Sequence, residues 1–213
     1  MKTFLVNKFF LFVIFSFLLG LLPLSKAMAA SDIAAPQIPI ETASNKLKKQ
    51  LQDESFIKDF GKVNIFVEKV VDPFVDFNRV SALVLGKIWK KATKDEKRRF
   101  KHEFHTLLVR TYSRAFFEFK DWSVRYLPLR LKANAKKTIV KTEILQPGIQ
   151  PLAINYRMVL TKGQWKAYDI VIEGVSLVTN YRTSIKNELK KNGSLDAVIK
   201  KLADRNAAAL AKS

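Results

Sequence analysis

The 213-residue sequence contains no cysteine. Disulfides, thiolate nucleophiles and Cys-based metal sites are therefore excluded. Histidine is almost as scarce, with only His102 and His105. A metal on these two needs a third ligand, and Glu103 between them faces another side of a helix. Carboxylates are few as well: 19 Asp and Glu stand against 38 Lys and Arg, a formal charge of +19. Asp169 and Glu173 fall at offset positions of one extended stretch, which gives paired-carboxylate chemistry little support. The 7 glycines form no phosphate-cradling loop and no dinucleotide fingerprint. Ser176 stands on a strand-to-helix turn, but Glu173-Gly174-Val175-Ser176-Leu177 does not match the G-x-S-x-G elbow. A triad of Ser176, one histidine and Asp169 is the only catalytic grouping left open.

The N-terminus is read as a secretory leader. Lys2 and Lys8 flank a basic region, Phe9 to Leu24 is uncharged, and Ala27-Met28-Ala29 supplies the small residues read by a signal peptidase. That apolar run is shorter than the roughly 20 residues of a membrane span. Residues 1–29 are expected to be a cleaved signal, with an uncleaved anchor as the alternative. An extended leader is expected over 30–43, and one α+β domain over 44–213. Removing Lys2, Lys8 and Lys26 leaves 35 basic residues against 19 acidic, a charge of +16. For an exported protein the polyanions within reach are membrane phosphates rather than nucleic acid. The same charge argues against self-association and for a monomer.

Along the chain, apolar spacing predicts helices near 41–54 and 56–71, with breaks near Gly61 and at Asp72-Pro73. A further helix is expected over Val80 to Leu85. Thr93 and Glu96 make a capping box that opens the longest helix, about Lys94 to Lys120. Its apolar stripe is Phe100, Phe104, Leu107, Leu108, Thr111, Ala115 and Phe119. Four strands follow: Ser123 to Leu131, interrupted by Pro128; Lys137 to Leu145; Ala153 to Thr161; and the strand from Trp165. In the last, Lys166, Tyr168, Ile170 and Ile172 alternate onto one face, with Trp165, Ala167, Asp169 and Val171 on the other. Glu173-Gly174 breaks the strand and Ser176 caps a helix of about 176–191; another covers about 195–209, beyond Asn192-Gly193. Short links favour an antiparallel meander, so the fold class is α+β.

The stretch Trp165 to Arg182, W-K-A-Y-D-I-V-I-E-G-V-S-L-V-T-N-Y-R, resembles the signature of the MlaC/toluene-tolerance family. Val84-Leu85-Gly86-Lys87-Ile88-Trp89, Leu107-Leu108-Val109-Arg110-Thr111-Tyr112 and Tyr156-Arg157-Met158 occur in that family's order and spacing. The resemblance covers roughly residues 45 to 205. It implies a periplasmic, non-catalytic carrier of phospholipid between the two membranes of a Gram-negative bacterium, without a cofactor, serving outer-membrane lipid asymmetry. It also implies an NTF2-like fold, with N-terminal helices on a curved four-stranded sheet enclosing an apolar cavity and helices at the C-terminus. The implied partners are an outer-membrane lipoprotein–porin complex and an inner-membrane ABC transporter, met through its lipid-binding subunit.

On that basis the apolar pocket is expected to use Phe66, Val70, Phe74, Leu83, Phe104, Leu108, Tyr112, Tyr156, Met158, Leu160, Tyr168, Ile170, Ile172, Val175 and Val178. Arg125, Arg130, Arg157, Lys166 and Arg182 are the candidates for a headgroup mouth. Periodicity alone cannot separate a filled core from an open pocket, because both require the same inward residues. A carrier of another lipid such as a hopanoid, an exported enzyme with a similar cavity, and a module whose basic face binds an anionic membrane are the competing readings.

Overall fold

The computed structural model describes residues 33–57, 59–118 and 121–211, with the backbone alone at 54, 57 and 113–118. The expected signal segment lies outside the described residues, as do the side chains of Ala115 and Phe119 in the long-helix stripe.

Helix α1 spans Ile38–Gln50 and begins inside the stretch expected to be extended. Pro39 falls in its first turn, where a missing N–H leaves no bond unmade. Buried Gln37 fixes the entry: its side-chain oxygen accepts from the Ala34 N–H at 2.7 Å and its amide donates to the Leu127 carbonyl at 3.2 Å. Helix α2 is Glu54–Ile57 and α3 is Phe60–Phe66. Asp59, rather than Gly61, marks the start of α3, its carboxylate accepting from the Lys62 N–H at 3.0 Å. The chain then widens into a π-helical turn, Val67–Val71, and tightens into a 3₁₀ turn, Asp72–Phe74. Asp76 caps α4, Phe77–Leu85. A short α5, Lys87–Lys91, precedes the capping box. There the Thr93 N–H donates to Glu96 Oε2 at 2.7 Å and the Glu96 N–H to Thr93 Oγ1 at 3.1 Å. The box opens α6, Lys94–Glu118.

Five strands follow in spatial order β1-β2-β3-β4-β5, every pair antiparallel. They are β1 Ser123–Tyr126, β2 Lys137–Gln146, β3 Ile149–Thr161, β4 Gln164–Ile172 and β5 Val175–Ser176. Pro128 ends β1 rather than interrupting it. Strand β5 is the one not expected from sequence. It forms because Glu173 and Gly174 take φ of 47° and 81°, the paired positive angles of a two-residue hairpin turn. The Glu173 N–H donates to the Ala153 carbonyl at 3.0 Å and its carboxylate accepts from the Ala153 N–H at 2.6 Å, which fixes that turn to the neighbouring strand. Helices α7, Leu177–Asn192, and α8, Leu195–Leu210, complete the fold.

One irregularity decides which side chains face inward. Arg157 pairs with Asp169, but Met158 pairs with Ala167, so Tyr168 is an extra residue in β4. A β-bulge of this kind reverses the alternation across it. Trp165 and Ala167 therefore share a face with Met158, and beyond the bulge Ile170 and Ile172 share a face with Tyr156 and Ile154. The unbroken alternation expected from sequence is corrected here: Lys166 stands on the face opposite to Ile170. The bulge also serves packing, since the Ala167 carbonyl accepts from the Asp76 N–H at 2.9 Å and holds the start of α4 against the sheet.

Buried apolar residues fall into three clusters. One joins α4, α6, α7 and α8 through Val80, Val84, Phe100, Phe104, Ile185, Val198 and Ile199. A second joins α1 to the sheet through Ile40, Val140, Met158, Trp165 and Ala167. The third links α2 and α3 to α6 through Phe56, Val63 and Val109. No helix among the described residues is long and apolar enough to cross a membrane.

Candidate functional site

The three clusters do not meet in the middle. Between them lies a cavity of about 400 Å³, walled by members of each, including Val80 and Phe104, Ile40 and Met158, and Val63 and Val109. That volume falls within the range of about 300–1,000 Å³ typical of ligand sites. The inward face of the sheet supplies Val124, Ile144, Leu152, Ile154, Tyr156, Met158, Ala167, Ile170 and Ile172. Helix α6 supplies Phe104, His105, Leu108, Val109 and Tyr112, and the start of α7 supplies Leu177, Val178 and Tyr181. Phe66, Phe74, Leu108, Ile154, Ile170 and Ile172 are only half-buried although they point inward. Their uncovered surface is apolar wall left without a protein partner.

Most polar side chains of the wall have partners in the protein. The Ser44 hydroxyl lies 3.4 Å from the Tyr126 hydroxyl. Thr142 Oγ1 donates to the Ile154 carbonyl at 2.9 Å. Tyr112 hydrogen-bonds Tyr181, and burial first, then that neighbour, pushes its phenol above the ordinary value. Tyr156 is pushed up to about 12, chiefly by burial and secondarily by Tyr126, with a hydrogen bond to Thr142 acting the other way. His105 Nε2 lies 3.0–3.1 Å from the two carboxylate oxygens of Asp72, while its ring packs edge-on against Phe77 with centroids 5.0 Å apart. With Ser44, Tyr112, Tyr156 and His105 occupied in this way, the interior offers an acyl-like ligand mainly apolar contact.

The candidate catalytic grouping does not form. The Ser176 hydroxyl donates to Asp169 Oδ2 at 2.7 Å and accepts from the Thr179 N–H at 3.1 Å. Asp169 Oδ1 accepts from the Val178 N–H at 3.1 Å. This carboxylate is only 4% exposed and anchors the positive N-terminus of α7 to β4. His105 is held by Asp72, and His102 is exposed. No cluster of metal-ligating side chains occurs among the described residues.

Of the residues expected in the wall, Phe66, Phe74, Phe104, Leu108, Tyr112, Tyr156, Met158, Tyr168, Ile170, Ile172 and Val178 line the cavity. Four do not. Val70 lies in the π turn, whose wider winding puts Val67 and Val71 inward in its place. Leu83 is 37% exposed, because on α4 its neighbour Val84 takes the inward side. Leu160 opposite Trp165 packs into the sheet-end cluster. Val175 lies on the short edge strand β5 and is 57% exposed. Sequence reasoning missed the wall residues from α1 and from the far ends of β2 and β3: Ile40, Leu47, Ile144, Leu152 and Ile154. The alternation of β2 and β3 carries a signal for the strand members.

None of the five basic residues expected at a mouth lines the cavity. Arg125 pairs with Glu143, and Arg157 Nη1 with Asp169 Oδ2 at 3.1 Å. By strand alternation Arg125, Arg157 and Lys166 face the outer side of the sheet, and Arg130 is exposed in the loop after β1. Arg182 lies over Gly86, so close that a Cβ there would stand 3.1 Å from Arg182 Nη2. The separated sequence motifs thus meet in space: Gly86 with Arg182, Tyr112 with Tyr181, and Arg157 with Asp169.

Comparison with known proteins agrees with this geometry. The chain is 24% identical over 196 residues to the intermembrane phospholipid transport system binding protein MlaC of Haemophilus influenzae, covering 90% of each chain. It is 23% identical over 187 residues to toluene tolerance protein ttg2D of Pseudomonas putida, covering 84% of this chain and 86% of that one. Among solved structures it is similar to a phospholipid-binding protein from Ralstonia solanacearum in complex with a phospholipid. That match has a TM-score of 0.76 and 28% identity, and covers 82% of this chain and 98% of the other. The sequence model described as MlaC protein matches residues 41–204, and the chain therefore belongs to the MlaC family.

Proposed function

We propose that this protein carries glycerophospholipid between the outer and inner membranes, holding the acyl chains without covalent chemistry in the cavity beneath the sheet. The observation that carries the reading is the gap of about 400 Å³ walled by members of three apolar clusters. Family membership and the phospholipid-bound Ralstonia relative support it. Each buried methylene contributes about 0.8 kcal/mol, so one acyl chain brings on the order of 10 kcal/mol into such a pocket. Phe66, Phe74, Phe104, Leu108, Ile154, Ile170, Ile172 and Val178 are the proposed acyl contacts. The proposed compartment is the periplasm. The proposed partners are an outer-membrane lipoprotein–porin complex and the lipid-binding subunit of an inner-membrane ABC transporter.

The test is organic extraction of gently purified protein followed by mass spectrometry of the extract. Stoichiometric phospholipid is expected, and it would report chain number and headgroup directly. A stoichiometric hopanoid would replace the cargo named here. An empty extract, from protein that also refuses added phospholipid, would overturn the carrier reading.

A further inference from the structure

The charge of this chain is unevenly placed. Between Trp122 and Tyr168 there are nine basic residues and a single acidic one, Glu143, while the other 18 carboxylates lie elsewhere in the sequence. Two of the nine, Arg125 and Arg157, are ion-paired with Glu143 and Asp169. The remaining seven make no ion pair among the described residues.

The fold gathers these seven at one end of the sheet. Arg130, Lys132 and Lys136 lie in the loop between β1 and β2, whose Lys136 carbonyl accepts from the Leu160 N–H at 2.9 Å. Lys137 and Lys166 both stand opposite Val159, on strands either side of it. Lys162 is at the tip of the β3–β4 turn, and Lys141 shares the outer face of β2 with Lys137. Two large apolar side chains are exposed within this field: Leu131, 39% exposed between Arg130 and Lys132, and Ile139, 47% exposed between Lys137 and Lys141 and opposite Arg157.

We propose that this end of the sheet is a docking surface for an anionic lipid bilayer. Charge complementarity is the first ground, since lipid phosphates supply a plane of negative charge for cations that make no ion pair among the described residues. The layout is the second. The cations crown a loop, a turn tip and a strand face, and their long stems surround two apolar side chains of the size that enters the headgroup boundary. This surface is separate from the cavity lining, and the proposal holds whatever the cavity contains.

The experiment is co-sedimentation of the protein with phosphatidylcholine vesicles, with and without phosphatidylglycerol, over a range of salt. Binding is expected only with phosphatidylglycerol and is expected to weaken as salt rises. Reversing three charges, K137E/K141E/K166E, is expected to weaken binding by about a hundredfold. The helix-side triple K186E/K190E/K200E makes the same change in net charge and is expected to leave binding within about threefold. L131S/I139S is expected to remove the part of the binding that survives high salt. Absence of binding to anionic vesicles overturns the proposal and leaves an acidic protein surface as the match for this charge. Equal losses in the two triples overturn it as well, because net charge alone would then account for attraction. Lipid content measured by mass spectrometry is expected to be unchanged in every variant, which separates failure here from failure of the carrier reading.

Discussion

Asp169 ties β4 to the start of α7 and to Arg157 on the neighbouring strand. It is nearly inaccessible, yet it accepts from the Ser176 hydroxyl, the Val178 N–H and Arg157. Asp169→Asn is expected to destabilise the protein by about 2–3 kcal/mol, because it replaces an acceptor by a donor facing other donors. Ser176→Ala is expected to cost about 1 kcal/mol through the lost helix cap. The two groups share a hydrogen bond, so denaturant midpoints of the double variant should fall short of the summed losses; strict additivity would contradict the shared network. Tyrosine supplies a pH test at the same scale. The Tyr156 phenol is raised to about 12 and Tyr112 is raised too, so both favour the folded state while protonated. Stability from them is full below the ordinary tyrosine value near 10 and is lost as pH climbs through their raised values, about 12 for Tyr156. Phenolate absorbance should therefore show late-titrating tyrosines that ionise together with unfolding. Tyr156→Phe should remove the Tyr156 part of that alkaline loss.

At the scale of elements, β4 depends on one inserted residue. Deleting Tyr168 would make β4 a regular strand that keeps Trp165 and Ala167 on the face of Ile170 and Ile172, whereas pairing without a bulge and with Tyr168 retained would turn them outward. The deletion variant is expected to keep near-UV circular dichroism and a cooperative thermal transition; loss of both would show that Tyr168 does not act simply as the inserted residue of the bulge. The same residue marks where sequence reading stopped. Helix starts were legible at the caps Thr93 with Glu96 and Ser176, but not at Asp59 and Asp76, whose carboxylates open α3 and α4. Both turns flanking β4 could be read from Lys162-Gly163 and Glu173-Gly174. A bulge has no composition of its own, because Tyr168 fits equally well in a regular strand. The π turn was hidden for a related reason: Val67, Val70 and Val71 satisfy ordinary helical spacing, and only the hydrogen-bond pattern shows that Val71 rather than Val70 turns inward.

For the whole molecule, most of the residues that sequence placed in the wall do line the cavity, but sequence did not show the space among them. Val80, Met158 and Val109 would look the same in one continuous core as in three clusters around a void. The five basic residues expected at a mouth failed for a complementary reason: charge identifies a surface residue, whereas strand register decides which surface. Filling the void is a direct check on its role. Leu108→Trp with Ile154→Trp is expected to leave the circular dichroism of the fold intact and to lower bound phospholipid at least about tenfold by placing bulk where acyl contacts are proposed. Unreduced lipid content in a folded double variant would place the cargo elsewhere. An apolar gap that water fills poorly also has a mechanical consequence. Unfolding eliminates internal empty space, and the accompanying volume decrease, ordinarily about 20–100 mL/mol, scales with the void that disappears. A gap of about 400 Å³ makes the unfilled protein the more compressible form. Hydrostatic pressure should therefore unfold it well before the cargo-filled form, and the separation between the two pressure midpoints would measure how completely the cargo occupies the interior.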